Sequence, residues 1–314
     1  MQNQIRLFIK TKGSLVIFVI LCFFAAIFVP KFATLSNALL IVRQAAIPII
    51  ACLGMTLVLM TGGIDLSLGY IVGLCSITVG ILVKTIGMPA VPAVIVTLAV
   101  GGVIGFINGL VVQIIKVPAF IATLGTGYVI YGLAQIVSQG EDISRLPQKF
   151  LALGKTEILG VNSTVAFTLA VCLIMYYVVH MSTFGRGLSA FGYNPRASRL
   201  SGIATAWINI AVYVVCAVLA SLAGILLTIR VNCAQPNMGG GNYTFEVITG
   251  AIIGGASLFG GAATVVGSIF GVLIVKVIEN CLSLAGVSYY MYQAVLGLVI
   301  LFAIIFENVK NRKL

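Results

Sequence analysis

The sequence predicts an all-α, polytopic membrane protein of about ten transmembrane helices with both termini cytoplasmic, and three observations lead there. Of its 314 residues, 61% are hydrophobic and only 8% charged, whereas about a quarter of a soluble domain is charged. Apolar stretches of spanning length recur along the whole chain. The basic residues sit at the ends of those stretches, where loop charges that set orientation belong. A net charge of +11 spread in this way speaks for a lipid surface and against nucleic acid.

The first run, 14–30, follows Arg6, Lys10 and Lys12. It looks superficially like a secretory signal, but no A-x-A site closes it and further spans follow, so it reads as a retained first helix. Runs at 38–60, 66–83, 91–114 and 118–138 come next, each near the ~20 residues that a bilayer requires. The longest polar gap, 139–160, balances Glu141, Asp142 and Glu157 against Arg145, Lys149 and Lys155. Runs at 161–181, 207–229, 244–260, 262–280 and 288–306 follow, so that 1–314 reads as one transmembrane domain. With the N-terminus inside, one side carries ten basic residues and the other six. The richer side is cytoplasmic, which places both termini and 182–206 there.

Glycine is abundant, at 35 residues, and recurs every fourth position as Gly69 and Gly73, as Gly101, Gly105 and Gly109, and as Gly267 and Gly271. Such stripes let a neighbouring backbone approach. "TGGIDLSLG" (61–69) and "IGGASLFGG" (253–261) form a weak internal echo of the kind transporter repeats leave. Of seven cysteines, five lie inside apolar runs and no CxxC occurs, which fits small apolar packing residues better than a disulfide or metal framework.

The segment "GYNPRASRLSGI" (192–203) interrupts this pattern. Asn194 suits an N-cap, Pro195 the first helical position and Gly202 the residue past the helix end. The result is a helix of about two turns in the cytoplasmic loop 185–205, with Arg196 and Arg199 at i,i+3 and Leu200 and Ile203 exposed. Firm start and stop signals with exposed apolar side chains favour docking on another protein over lying along lipid headgroups.

Other candidate residues line a path or a gate. Asp65 follows Gly62 and Gly63 at the opening of the third run, where it serves as an N-cap or as a gate contact. Arg43 lies two turns into the second run, either snorkelling or facing a cavity, and Glu246, on the same side, is its candidate partner. Gln44, Asn108, Thr123 and Asn242 are neutral hydrogen bonders suited to an uncharged polyol or to gluing helices together. Lys276 and Glu279 read as a local i,i+3 pair, and His180 as a partner of a helix C-terminus. "GKT" at 154–156 is no P-loop, because Lys149 stands where the motif needs glycine.

Five stretches, "MTGGIDLSLG" (60–69), "VPAFIATLGT" (117–126), "GYNPRASRLSGI" (192–203), "GGASLFGG" (254–261) and "NCLSLAGVSYY" (280–290), taken together and in order, resemble the permease subunits of bacterial ABC importers for ribose, xylose, arabinose and galactose. The resemblance implies alternating-access import of a monosaccharide across the bacterial inner membrane. It also implies that 192–203 is the coupling helix, seated in a cleft of a separate cytoplasmic ATP-binding subunit. The expected partners are that ATPase, which would bind ATP and Mg, an extracytoplasmic solute-binding protein, and a second permease copy, most simply an identical one. No cofactor and no catalytic residue are expected on this chain. Thr244 departs from the acidic residue common in such permeases, which leaves the solute open among pentoses, hexoses, nucleosides, inositols and sugar-like signals. An ion-coupled transporter would need a titratable group near the membrane centre, and the acidic candidates Asp65, Glu246 and Glu279 all fall near expected boundaries. A membrane enzyme would need a paired-carboxylate, metal or nucleophile–base set that the sequence lacks.

Overall fold

The computed structural model describes residues 2–158 and 160–311. The chain folds into helices α1 (Gln2–Phe28), α2 (Leu35–Met60), α3 (Leu68–Thr85), α4 (Ala90–Ile115), α5 (Ala119–Ser138), α6 (Gln148–Lys155) and α7 (Ser163–Met181). These are followed by α8 (Thr183–Tyr193), α9 (Pro195–Leu200), α10 (Thr205–Val231), α11 (Gly240–Ile253), α12 (Val265–Leu284) and α13 (Tyr289–Asn311). Among the described residues, seven helices (α2, α3, α4, α5, α7, α10 and α12) are long and apolar enough to cross a membrane. The protein is therefore an all-α, multi-pass membrane protein. Shorter apolar stretches, Gly13–Phe28 and Tyr290–Phe302, lie in α1 and α13.

The core forms where α10 meets α2, α3 and α4. Every residue of α2 from Ala45 to Met60 is buried, the sign of a helix that is apolar all round and surrounded by protein. The stripe of Gly101, Gly105 and Gly109 on α4 lies flat on α10 against Ser221, Ala217 and Ile210. Gly267 and Gly271 of α12 meet Gly254 and Gly250. Both stripes pack as the sequence led one to expect.

The expected span 244–260 is corrected. Only Gly240–Ile253 is helical, and 254–264 turns back towards α12. Fourteen residues rise about 21 Å, short of the ~30 Å hydrocarbon layer. The apolar run continued only because the turn is built from glycine and small apolar residues. The polar gap 139–160 also holds more structure than expected. Its short helix α6 buries Phe150 and Leu151 against Ile225 and Ile229 of α10. Two-residue strands tie this region down: β1 (Ile143–Ser144) pairs antiparallel with β4 (Cys233–Ala234), and β2 (Glu157–Ile158) with β3 (Val161–Asn162). The "GKT" stretch closes α6 rather than opening a helix, as phosphate binding would require.

Candidate functional site

The site is built on two interrupted helices. After Met60 the chain leaves helical geometry for Thr61–Ser67 and starts again at Leu68. Val72 of α3 packs on Gly224, roughly 28 Å along α10 from Thr205, so α3 starts inside the protein rather than at its edge. From the other end, 232–239 runs down α3 as non-helical backbone, a two-residue strand followed by turns and bends. Ala234 meets Gly80, the Gln235 N–H donates to Ser76 Oγ at 3.1 Å, the Pro236 carbonyl meets Gly73, and the Gly240 carbonyl meets Gly69. Gly73 thus admits the unwound segment and Gly69 the first turn of α11, the close backbone approach that their spacing suggested. The start of α11 overlaps the start of α3, and the Gly69 N–H donates to Thr244 Oγ1 at 2.9 Å. Non-helical backbone at this depth persists only where protein or a water-filled cavity surrounds it.

Three candidate residues converge on the break. Asp65 is fully buried. Its Oδ1 accepts from the Ser67 N–H at 2.9 Å and the Ser67 hydroxyl at 2.5 Å. Asn108 of α4 donates through Nδ2 to Ser67 Oγ at 2.9 Å, and Thr123 Oγ1 of α5 accepts from the Leu66 N–H at 2.9 Å. The N-cap position belongs to Ser67, so Asp65 is not the N-cap itself but holds that residue from two positions upstream. Nor does it lie near a boundary. Asp65 Oδ2, Asn108 Oδ1 and the Tyr213 hydroxyl are buried without a hydrogen-bond partner among the described residues.

Asp65→Asn keeps an acceptor for Ser67 and is expected to melt close to the wild type. Asp65→Leu leaves two donors of Ser67 unpaired at about 1–3 kcal/mol each, and its thermal midpoint in detergent should fall clearly. Equal midpoints for Leu and wild type would show that the network does not hold the break.

The other candidates sit elsewhere. Glu246 pairs with Lys276 at 2.7 Å, and Lys276 also meets Glu279 at 2.7 Å. The expected pairing of Glu246 with Arg43 is thereby replaced, because Lys276 of α12 reaches Glu246 while Arg43 is exposed. The local Lys276–Glu279 pair is present but is half of a three-residue bridge. Glu246, like Asp65, stands inside the bundle. Gln44 is half-buried and Asn242 is exposed on the first turn of α11. The His180 Nε2 accepts from the Val265 N–H at 3.4 Å.

The segment 192–203 follows its sequence cues. Asn194 Oδ1 accepts from the Ala197 N–H at 3.0 Å, Pro195 opens α9, and Gly202 adopts φ +80°. Arg196 and Arg199 are exposed and Leu200 is 90% exposed. Ile203, expected to be exposed beside Leu200, instead folds back half-buried against the core. The sequence reading missed α8, though Ser182, capping the Gly185 N–H at 3.1 Å, was a readable start signal. The end of α8 touches the second glycine motif of the internal echo and the residue just before the first. Gly192 lies against the Met60 carbonyl and Gly261, and the Gly261 N–H donates to Met60 O at 2.9 Å. The partly buried α8 thus connects the exposed α9 to the backbone at the start of the helix break.

A protein family described as branched-chain amino acid transport system / permease component matches residues 37–304. The chain belongs to this permease family. Over 310 residues the permease is 36% identical to the ribose import permease protein RbsC of Escherichia coli K12, covering 98% of this chain and 96% of that one. It is 31% identical to the L-arabinose transport system permease protein AraH of the same organism over 304 residues, 96% and 91% of the two chains. The autoinducer 2 import system permease protein LsrC of Yersinia pseudotuberculosis is 32% identical over 278 residues, 88% of this permease and 79% of that protein. No solved structure matches the permease significantly.

Proposed function

We propose that this permease is the membrane subunit of an ATP-driven importer of a monosaccharide, a pentose or hexose, with both termini cytoplasmic. A separate ATPase, carrying ATP and Mg, docks on Arg196, Arg199 and Leu200. A binding protein delivers solute from outside, and two copies of the permease enclose the pathway. The observation that carries this reading is the linkage just described: an exposed apolar residue beside two arginines on α9, joined to a helix whose end lies against the backbone of an interrupted helix. ATP-driven movement of α9 displaces α8, and α8 shifts Met60–Gly62 and with it the Asp65 network.

The relatives named for sugars favour a neutral solute, and so do the elements around the break. α5 carries no charged residue, α3 carries only Lys84 at the end far from the break, and the one charge of α11, Glu246, is held by Lys276. The test is uptake of radiolabelled D-ribose and L-arabinose into proteoliposomes holding permease, ATPase and binding protein. Uptake should require ATP on the ATPase side and binding protein on the other. Uptake that follows an ion gradient without ATP would contradict the reading.

A further inference from the structure

Three tyrosines gather beside the overlapping starts of α3 and α11. Tyr70 is on the first turn of α3, and Tyr128 and Tyr131 are at i,i+3 on α5. The ring centroid of Tyr70 lies 5.8 Å from that of Tyr128 and 5.9 Å from that of Tyr131. The Tyr70 hydroxyl reaches to 3.9 Å from where a Cβ on Gly241 would stand, which brings the cluster to the first turn of α11. Gly127 fits under the Tyr70 ring, where a Cβ would come within 2.7 Å of it.

This face is open. Tyr128 is 62% and Phe245 48% exposed, and Asn237, just before α11, and Asn242, on its first turn, are exposed as well. Tyr70 lies close to Val72, which packs on Gly224, about 10 Å short of the far end of α10. The face is therefore within the membrane-crossing part of the bundle. Two exposed side-chain amides at that depth exclude a lipid neighbour, because hydrocarbon offers them no hydrogen bond. Aromatic faces, neutral amides and no free charge make a surface for one kind of ligand: a ring with C–H groups on its face and hydroxyls on its rim.

We propose that Tyr70, Tyr128 and Tyr131, with Asn242, form a subsite that holds the ring of an uncharged polyol as it crosses the membrane. The rings stack on the C–H face, and Asn242 exchanges hydrogen bonds with the hydroxyls. This rests on the sugar-import reading above and adds the residues that carry it.

The experiment uses the full importer and measures uptake of D-ribose and L-arabinose by Tyr128→Phe, Tyr128→Leu and Tyr128→Ala permeases, with membrane abundance and solute-free ATP hydrolysis as controls. The Phe variant should stay within about twofold of wild type, and the Leu and Ala variants should lose about tenfold, with both controls unchanged. Leu performing as well as Phe would overturn the proposal, since the position would then need only apolar bulk, as against lipid or a second copy. Equal loss in Phe, Leu and Ala would also overturn it, in favour of a hydroxyl contact without stacking. A wild type that imports neither these pentoses nor the hexoses D-glucose and D-galactose would fail the sugar-import reading itself and the subsite with it.

Discussion

Leu200→Asp permease is expected to accumulate and fold normally, yet to lose its ATPase. Leu200 is 90% exposed, and surface changes of this kind alter stability by about 0.5 kcal/mol or less. Left in water, a leucine side chain forgoes about 1.5–3 kcal/mol of burial, so its place beside two arginines points to a partner's pocket. An aspartate pushed into that pocket is an unpaired buried charge, at a cost of several kcal/mol. Co-purification of the ATPase should drop to background and uptake should vanish, while the melting curve of the isolated permease stays put. Normal co-purification with normal solute-stimulated hydrolysis would remove 192–203 from the coupling role.

Gly192→Ala should act at the next step. A Cβ on Gly192 would stand 2.8 Å from the Gly261 Cα and closer still to the Met60 carbonyl. These are backbone atoms, so the end of α8 must move away from the helix break. Overpacking of this order costs about 1–3 kcal/mol, but the larger effect is mechanical. The variant should keep its ATPase, since α9 is untouched, and should hydrolyse ATP without solute stimulation and without uptake. Gly13→Ala, where nothing lies within 4 Å, serves as the control and should transport normally. Full uptake by Gly192→Ala would show that the contact between α8 and the loops at 60–62 and 260–261 transmits nothing.

What the sequence revealed and what it hid divide along physical lines. Hydropathy depends only on side chains, so helices such as α2, α4, α5 and α10, whose apolar runs coincide with their helices, were legible to within a few residues. It is blind to the path of the backbone. The run 244–260 stayed apolar through a turn of glycines, and 61–67 hid a break behind ordinary boundary residues. The caps of α9 were readable because Asn, Pro and Gly act locally. Partner choice was not: Glu246 had Arg43 and Lys276 as possible mates, and only the antiparallel packing of α11 on α12 selects Lys276. Asp65, Asn108 and Thr123 were named separately as path residues, and only the fold brings them to one break. The tyrosines escaped notice because an aromatic ring inside an apolar run reads as core, and its exposure depends on which neighbour is absent.

The central claim is that α9 faces the ATP side and is covered there by another polypeptide. The most direct measurement is labelling by a membrane-impermeant maleimide of single cysteines placed at Arg196 and at Lys149 in a permease freed of its native cysteines. Lys149→Cys is expected to label from outside in right-side-out vesicles. Arg196→Cys is expected to label only from the cytoplasmic side and to become protected when the ATPase is bound. Labelling of both from the same side, or labelling at 196 that is indifferent to the ATPase, would contradict that claim.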